Sequence, residues 1–184
     1  MAGLTTTPPR AVVIHCSDNR FQAAFQEFIR DYLGLAPGEY TPLVIPGSAS
    51  AIASTARMQL PKHFKVLSEQ LALILNNHQG QRVEIVVITH DDCRGQQFLA
   101  QKIAKFVPFS AEHHRREIEL SLELIQELAK RFASDCQVRL FHAAVAGEVV
   151  EFEDVISGER VWPKRGAPSE TSTRAEGSSV PPLL

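Results

Sequence analysis

VEIVVITHDDCRG, residues 83–95, is the stretch whose reading decides the fold. Its first seven residues are apolar or β-branched but for Glu84, a run that suits a strand buried on both faces of a parallel sheet. The strand runs straight into His90-Asp91-Asp92-Cys93. A second run of the same kind, AVVIH at 11–15, runs into Cys16-Ser17-Asp18-Asn19-Arg20. In an open parallel sheet the carboxyl ends of the strands meet along one edge, and sites form there. If the two strands are neighbours, Cys16, His90 and Cys93 arrive at one point although many residues separate them. Two thiolates and one imidazole form a zinc-type donor set that leaves a fourth position open, as catalytic rather than structural sites do.

The elements around these runs alternate. Residues 21–33 carry Phe21, Phe25, Phe28, Ile29 and Tyr32 at helical spacing, with Gly34 as the stop. A short strand, LVI, lies within 40–46 and leads into Pro46-Gly47-Ser48, and the small residues through Ser54 suit a close turn into a helix. Pro61 suits the first turn of a helix whose apolar side is Phe64, Leu67, Leu71, Ile74 and Leu75, ending over 76–80. Gly95 opens a short helix to about Phe106. Ser110 is placed to cap a long helix over 111–133, with Ile118, Leu122, Ile125, Ala129 and Phe132 as its buried stripe. VRLFHAAV (138–145) reads as the last central strand, and 148–161 as an added edge hairpin or strand. The expected class is therefore α/β: a mostly parallel central sheet flanked by helices, with an antiparallel edge strand near the C-terminus. Residues 1–10, rich in Thr and Pro, are expected to be flexible, 11–163 to form one domain, and 164–184 to be a disordered tail too poor in apolar residues to fold.

Bulk properties exclude several classes. With 184 residues the chain suits one domain with a sizeable core, and a formal net charge of −2 gives no electrostatic case for nucleic acid or an anionic membrane. No apolar run approaches the ~20 residues of a membrane span. The start of the chain shows no hydrophobic signal core. Three cysteines, two of them in the candidate site, argue against a disulfide framework and for a reducing, cytoplasmic setting.

Cys16-x-Asp18-x-Arg20 followed by His90-x-x-Cys93, each after an apolar strand, resembles the zinc signature of the β-class carbonic anhydrases. Ser68-Glu69-Gln70-Leu71-Ala72 is similar to a helix that this family has before its H-x-x-C strand. Residues 145–161 are similar to its closing strand, with Asp154 to Gly158 as the turn. The resemblance covers roughly residues 10–162. It implies one zinc ion per subunit on Cys16, His90 and Cys93, and reversible hydration of carbon dioxide to bicarbonate by a zinc-bound hydroxide. It further implies that Asp18 accepts a hydrogen bond from that hydroxide while Arg20 holds the Asp18 carboxylate. Zinc neutralised by two thiolates acidifies its water less than a three-histidine zinc, which is why such a site needs the pair. Assembly as a homodimer or multiple of dimers, with the site near the subunit boundary, is implied as well. The chain departs from the family pattern at Ile45-Pro46-Gly47-Ser48, where Arg-Asn-Ala-Gly is usual, and at Thr89 and Arg94, where glycine is common.

Other readings compete. The altered segment suits a non-hydrating zinc protein on the same fold, either regulatory or a hydrolase of a small linear molecule such as carbonyl sulfide or carbon disulfide. A cysteine phosphatase loop needs arginine six places after its cysteine, where this chain has Gln22. Cys136 reads as core packing, and His113-His114 as a solvated first helical turn. His15 should face away from the metal, since side chains alternate along a strand. His63, His78 and His142 have no partner at ligand spacing. Asp91 and Asp92 read as loop solvation or as supports behind the ligands. Deleting residues 164–184 is expected to leave folding and metal content nearly unchanged, which thermal denaturation and metal analysis of the truncated protein would check.

Overall fold

The computed structural model describes residues 9–52, 61–76, 82–103, 111–132 and 135–163. The strands are β1 (Ala11–His15), β2 (Tyr40–Val44), β3 (Val83–His90), β4 (Cys136–Ala146), β5 (Val149–Asp154) and β6 (Glu159–Trp162). The helices are α1 (Gln22–Asp31), α2 (Pro61–Asn76), α3 (Arg94–Ile103) and α4 (Ala111–Phe132). They build one six-stranded sheet in the order β2-β1-β3-β4-β5-β6. The first four strands run parallel, and the last two return antiparallel at one edge. This is the α/β architecture expected from the strand-helix alternation. Residues 1–8, the Ser110 cap, the helix stop at 77–80 and the tail from 164 lie outside the described residues. Among the described residues, no helix is long and apolar enough to cross a membrane.

Period-two alternation along the central strands makes two cores. Val12, Ile14, Ile85, Val87 and Leu140 face one way and pack with Leu71 and Leu75 of α2 and Ile118 and Ile125 of α4. Ala11, Val13, Val86, Ile88 and Phe141 face the other way and pack under Phe25, Phe28 and Ile29 of α1. Both faces of β1 and β3 are thus covered, which is why these strands lack a polar side.

The second core is largely aromatic. Phe28 stacks on Phe152 of β5 with ring centroids 4.0 Å apart and planes 4° from parallel. Phe141 meets Phe28 edge-on at 5.1 Å, and Trp162 of β6 does so at 6.3 Å. The antiparallel hairpin is therefore tied to α1 by side chains as well as to β4 by its ladder. Asp154 Oδ1 accepts the Ile156 and Ser157 amides at 2.9 and 3.2 Å, and Gly158 takes φ +70°, which closes the turn into β6.

α1 ends two residues earlier at its C-terminal end than the apolar pattern predicts. The Leu33 amide turns back to Phe28 O at 3.1 Å, the Leu35 amide to Ile29 O at 3.1 Å, and Gly34 takes φ +63°. That is a glycine-terminated helix end, and it leaves Tyr32 and Leu33 outside the helix. β2 ends at Val44, one residue before the apolar run does, and Ile45 begins the descent into the turn. Phe28→Ala would leave a cavity at the centre of the aromatic core. It is expected to cost about 3–5 kcal/mol of unfolding free energy, measured by denaturant titration.

Candidate metal centre

Parallel pairing of β1 with β3 sets His15 against Ile88. Cys16 follows β1 directly, and His90 ends β3. Asp91 and Asp92 turn the chain, so that Cys93 sits just ahead of α3. The three predicted ligands are brought together: their donor atoms lie within 4.8 Å of one another, and all three residues are buried. The two Sγ atoms are 3.6 Å apart, against about 3.8 Å for two sulfurs on one tetrahedral zinc with Zn–S near 2.3 Å. His90 Nδ1 donates to the Asp91 carbonyl at 2.7 Å, which places the ring proton on Nδ1 and leaves Nε2 as an acceptor. His90 Nε2 is buried and has no hydrogen-bond partner among the described residues. An unpartnered buried acceptor is costly, and a cation held between it and the two sulfurs would remove that cost. The residues present therefore fit a thiolate- and imidazole-binding metal.

The electrostatics follow from the geometry. The Cys93 thiol hydrogen-bonds the Cys16 sulfur and lowers Cys16 to about 4, against the opposing effect of burial. The Gly47 amide, 3.3 Å from Cys16 Sγ, also favours the thiolate. The same sharing and its own burial push the Cys93 thiol up. Cys16 is the anionic partner of the pair chiefly because the Cys93 thiol donates to it, with His90 and the Gly47 amide adding to the effect.

That amide belongs to the segment in which the chain departs from the family pattern. Gly47 and Ser48 take positive φ values of +89° and +53°, which wraps the segment over Cys16. Ser48 Oγ donates to Ile88 O at 2.7 Å and ties the turn to β3. Gly95 packs on it so closely that a Cβ there would lie 2.8 Å from the Pro46 carbonyl carbon. Glycine at position 95 thus has a steric reason.

Asp18 and Arg20 form a two-pronged pair. Arg20 Nη2 donates to Asp18 Oδ2 at 2.7 Å and Nε to Oδ1 at 3.0 Å. The Arg20 backbone amide adds a bond to Oδ1 at 3.1 Å. The Asp18 side chain is only 6% exposed, and Arg20 beside it holds its carboxyl down at about 2. Arg20 has a second carboxylate: Nη1 donates to Asp92 Oδ2 at 2.9 Å and Nη2 to Asp92 O at 2.8 Å. An arginine committed to two aspartates is not available to cradle a phosphate, which removes the phosphatase reading. Cys16, Asp18, Asn19, Pro46, Leu67 and Phe98 line part of a cavity of about 670 Å3 that opens beside the cluster.

Several supports were not legible in the sequence as such. Gln22 Nε2 braces the loop by donating to Cys16 O at 2.9 Å and Asp18 O at 3.0 Å. Asp92 acts through Arg20. His142 reaches Asp91 across the sheet at 3.0 Å. Gln22 had a local signal, a polar side chain in the first turn after the ligand loop, and Asp92 had one in its place between His90 and Cys93. His15 packs on Phe25 at a centroid distance of 5.2 Å and is not a member of the donor cluster. Cys136 is half-buried at the start of β4, against the first core, and burial raises its thiol to about 11.

Residues 7–149 match a family model described as putative carbonic anhydrase. No curated protein and no solved structure matches. The match takes in both ligand motifs and the four parallel strands and stops at the start of β5.

The Asp18–Arg20 pair carries a pH dependence. A carboxyl lowered in the folded state stabilises the fold above its unfolded pKa of about 3.9, and that contribution is lost as pH falls through about 2. Wild-type stability should therefore drop over this interval, and Arg20→Gln should flatten the drop. Denaturant unfolding of both proteins near pH 4 and near pH 2 measures the difference.

Proposed function

The chain belongs to the family described as putative carbonic anhydrase, and on that premise we propose that it hydrates carbon dioxide reversibly to bicarbonate, with one zinc ion per subunit held by Cys16, His90 and Cys93. The observation that carries the reading is the orphaned His90 Nε2 facing a donor set with sulfurs 3.6 Å apart. Bound there, zinc supplies Lewis acidity that makes water a nucleophile near neutral pH.

The chain's own residues do the rest. Asp18, ionised at any pH near neutrality because Arg20 faces it, accepts a hydrogen bond from the reacting water and turns the water's lone pair toward the substrate carbon. Arg20 fixes the plane of that carboxylate through its fork, which a lysine point charge would not do. Asp92 fixes Arg20 from its other side. Val66, Leu67, Ala51 and Phe98 give the neighbouring cavity an apolar wall suited to an uncharged, linear substrate. The proton released to solvent leaves through the open mouth of the same cavity.

A homodimer or a multiple of dimers is part of the proposal. Val66 and Phe98 stand 53% and 59% exposed beside the site and would be covered by a second subunit. A reducing cytoplasm is proposed as well, and three free cysteines support it.

The test is stopped-flow hydration of carbon dioxide by zinc-loaded protein, with carbonyl sulfide and carbon disulfide run beside it. Wild type is expected to be active on carbon dioxide. Asp18→Asn should keep its zinc and lose roughly 10²–10⁴-fold in rate, typical of a positioned acid/base partner. Arg20→Lys should lose nearly as much, and the double variant should be little worse than either single one, because the pair acts as a unit. Zinc-loaded wild type that is inert to carbon dioxide, yet turns over a sulfur analogue, would move the assignment to a hydrolase.

A further inference from the structure

The turn that carries the ligands is held on its far side by a chain of hydrogen bonds running in from β4. In the parallel β3–β4 pair, Thr89 stands opposite His142 and His90 opposite Ala143. Thr89 and His142 therefore project to the same face. Thr89 Oγ1 lies 2.9 Å from His142 Nδ1, and His142 Nε2 lies 3.0 Å from Asp91 Oδ1. A carboxylate facing Nε2 puts a proton on that nitrogen, so the imidazole donates to Asp91.

Every polar group of Asp91 is then engaged. Its amide donates to Ala143 O at 3.0 Å, and its Oδ2 accepts from the Val145 amide at 3.4 Å. Its carbonyl accepts the His90 Nδ1 proton at 2.7 Å. That last bond decides which His90 nitrogen is left to bind. A metal-ligating histidine whose other nitrogen donates to a fixed acceptor is held in one tautomer and one orientation. Here the acceptor is a backbone carbonyl, and its position depends on what fixes the turn.

We propose that His142 is a positioning residue for the ligand His90: by gripping the Asp91 carboxylate from β4, it fixes the turn whose carbonyl keeps His90 Nε2 directed at the metal. The inference rests on the reading of Cys16, His90 and Cys93 as a zinc set. It assigns His142 no contact with the metal or the substrate. Its effect passes through Asp91 into metal affinity and into the symmetry of the metal's surroundings.

His142→Phe keeps the ring and removes the donor, whereas His142→Gln keeps an N–H near the place of Nε2. Zinc affinity, measured by competition with a chromogenic chelator, is expected to fall roughly 10- to 100-fold in His142→Phe and to recover for the most part in His142→Gln. The visible spectrum of the cobalt-loaded protein should shift in His142→Phe and return toward wild type in His142→Gln. A merely structural role would lower thermal stability without this pattern. Asp91→Asn weakens the same link from its other end and serves if His142→Phe does not fold. It should weaken zinc binding by a similar factor, and combining it with His142→Phe should add little. Affinity in His142→Phe within about twofold of wild type, against the expected effect of such supports, overturns the proposal, as does an equal loss in the phenylalanine and glutamine variants. Wild type that takes up neither zinc nor cobalt would sink the metal reading and this inference with it. Wild type that binds while His142→Phe and Asp91→Asn bind equally well would sink this inference alone.

Discussion

The parallel pairing of β1 with β3 is the constraint on which the candidate site depends. Cys16 and Cys93 are far apart in the chain, and only this register carries their sulfurs to 3.6 Å. A one-residue slip would turn Val12 and Ile14 from the first core into the second and carry Cys16 away from the cluster. The hydrophobic pattern that buries both faces of the sheet therefore also specifies where the donor atoms meet. Fold and site share one determinant, and a substitution that loosens the register damages both.

Arg20 is the second point of convergence. It joins the loop after β1 to the turn after β3 by bonding Asp18 with one edge of its guanidinium and Asp92 with the other. These two connections come from the strands that also deliver the sulfurs. The ion pair to the mostly exposed Asp92 adds little to stability in water. Its value lies in geometry, because it leaves the Arg20 fork one orientation in which to meet the covered Asp18 side chain. The positive φ of Asp92, +48°, is a conformation of the left-handed region that aspartate tolerates better than most residues.

How much of this could be read beforehand depended on whether the signal was local. The strands, the helices and the three donors were legible because each motif directly follows its apolar run, so strand-end placement could be inferred without knowing the order of the sheet. The Asp18–Arg20 pair was legible because its members stand two positions apart. Asp92 with Arg20, and His142 with Asp91, were not. Those pairs are 72 and 51 residues apart, and only the neighbourhood of β1, β3 and β4 in the sheet makes them adjacent. His142 has no partner at ligand spacing in the sequence, and in the fold it pairs with Asp91, the neighbour of His90.

Ile45-Pro46-Gly47-Ser48 meets the donor cluster through its backbone and β3 through a side chain. What this segment gives the cluster is a backbone amide on the Cys16 sulfur and a tight path between β2 and the following turn. A backbone donor sets no requirement on its own side chain beyond the ability to take the needed φ, and glycine meets that at position 47. Ser48 adds a side-chain contact, its hydroxyl donating to the β3 backbone at Ile88 O. Gly95 answers from the opposite side by having no side chain where the turn passes. The turn at 45–48 and Gly95 are thus two halves of one packing arrangement, in which the turn presses onto the Cys16 sulfur.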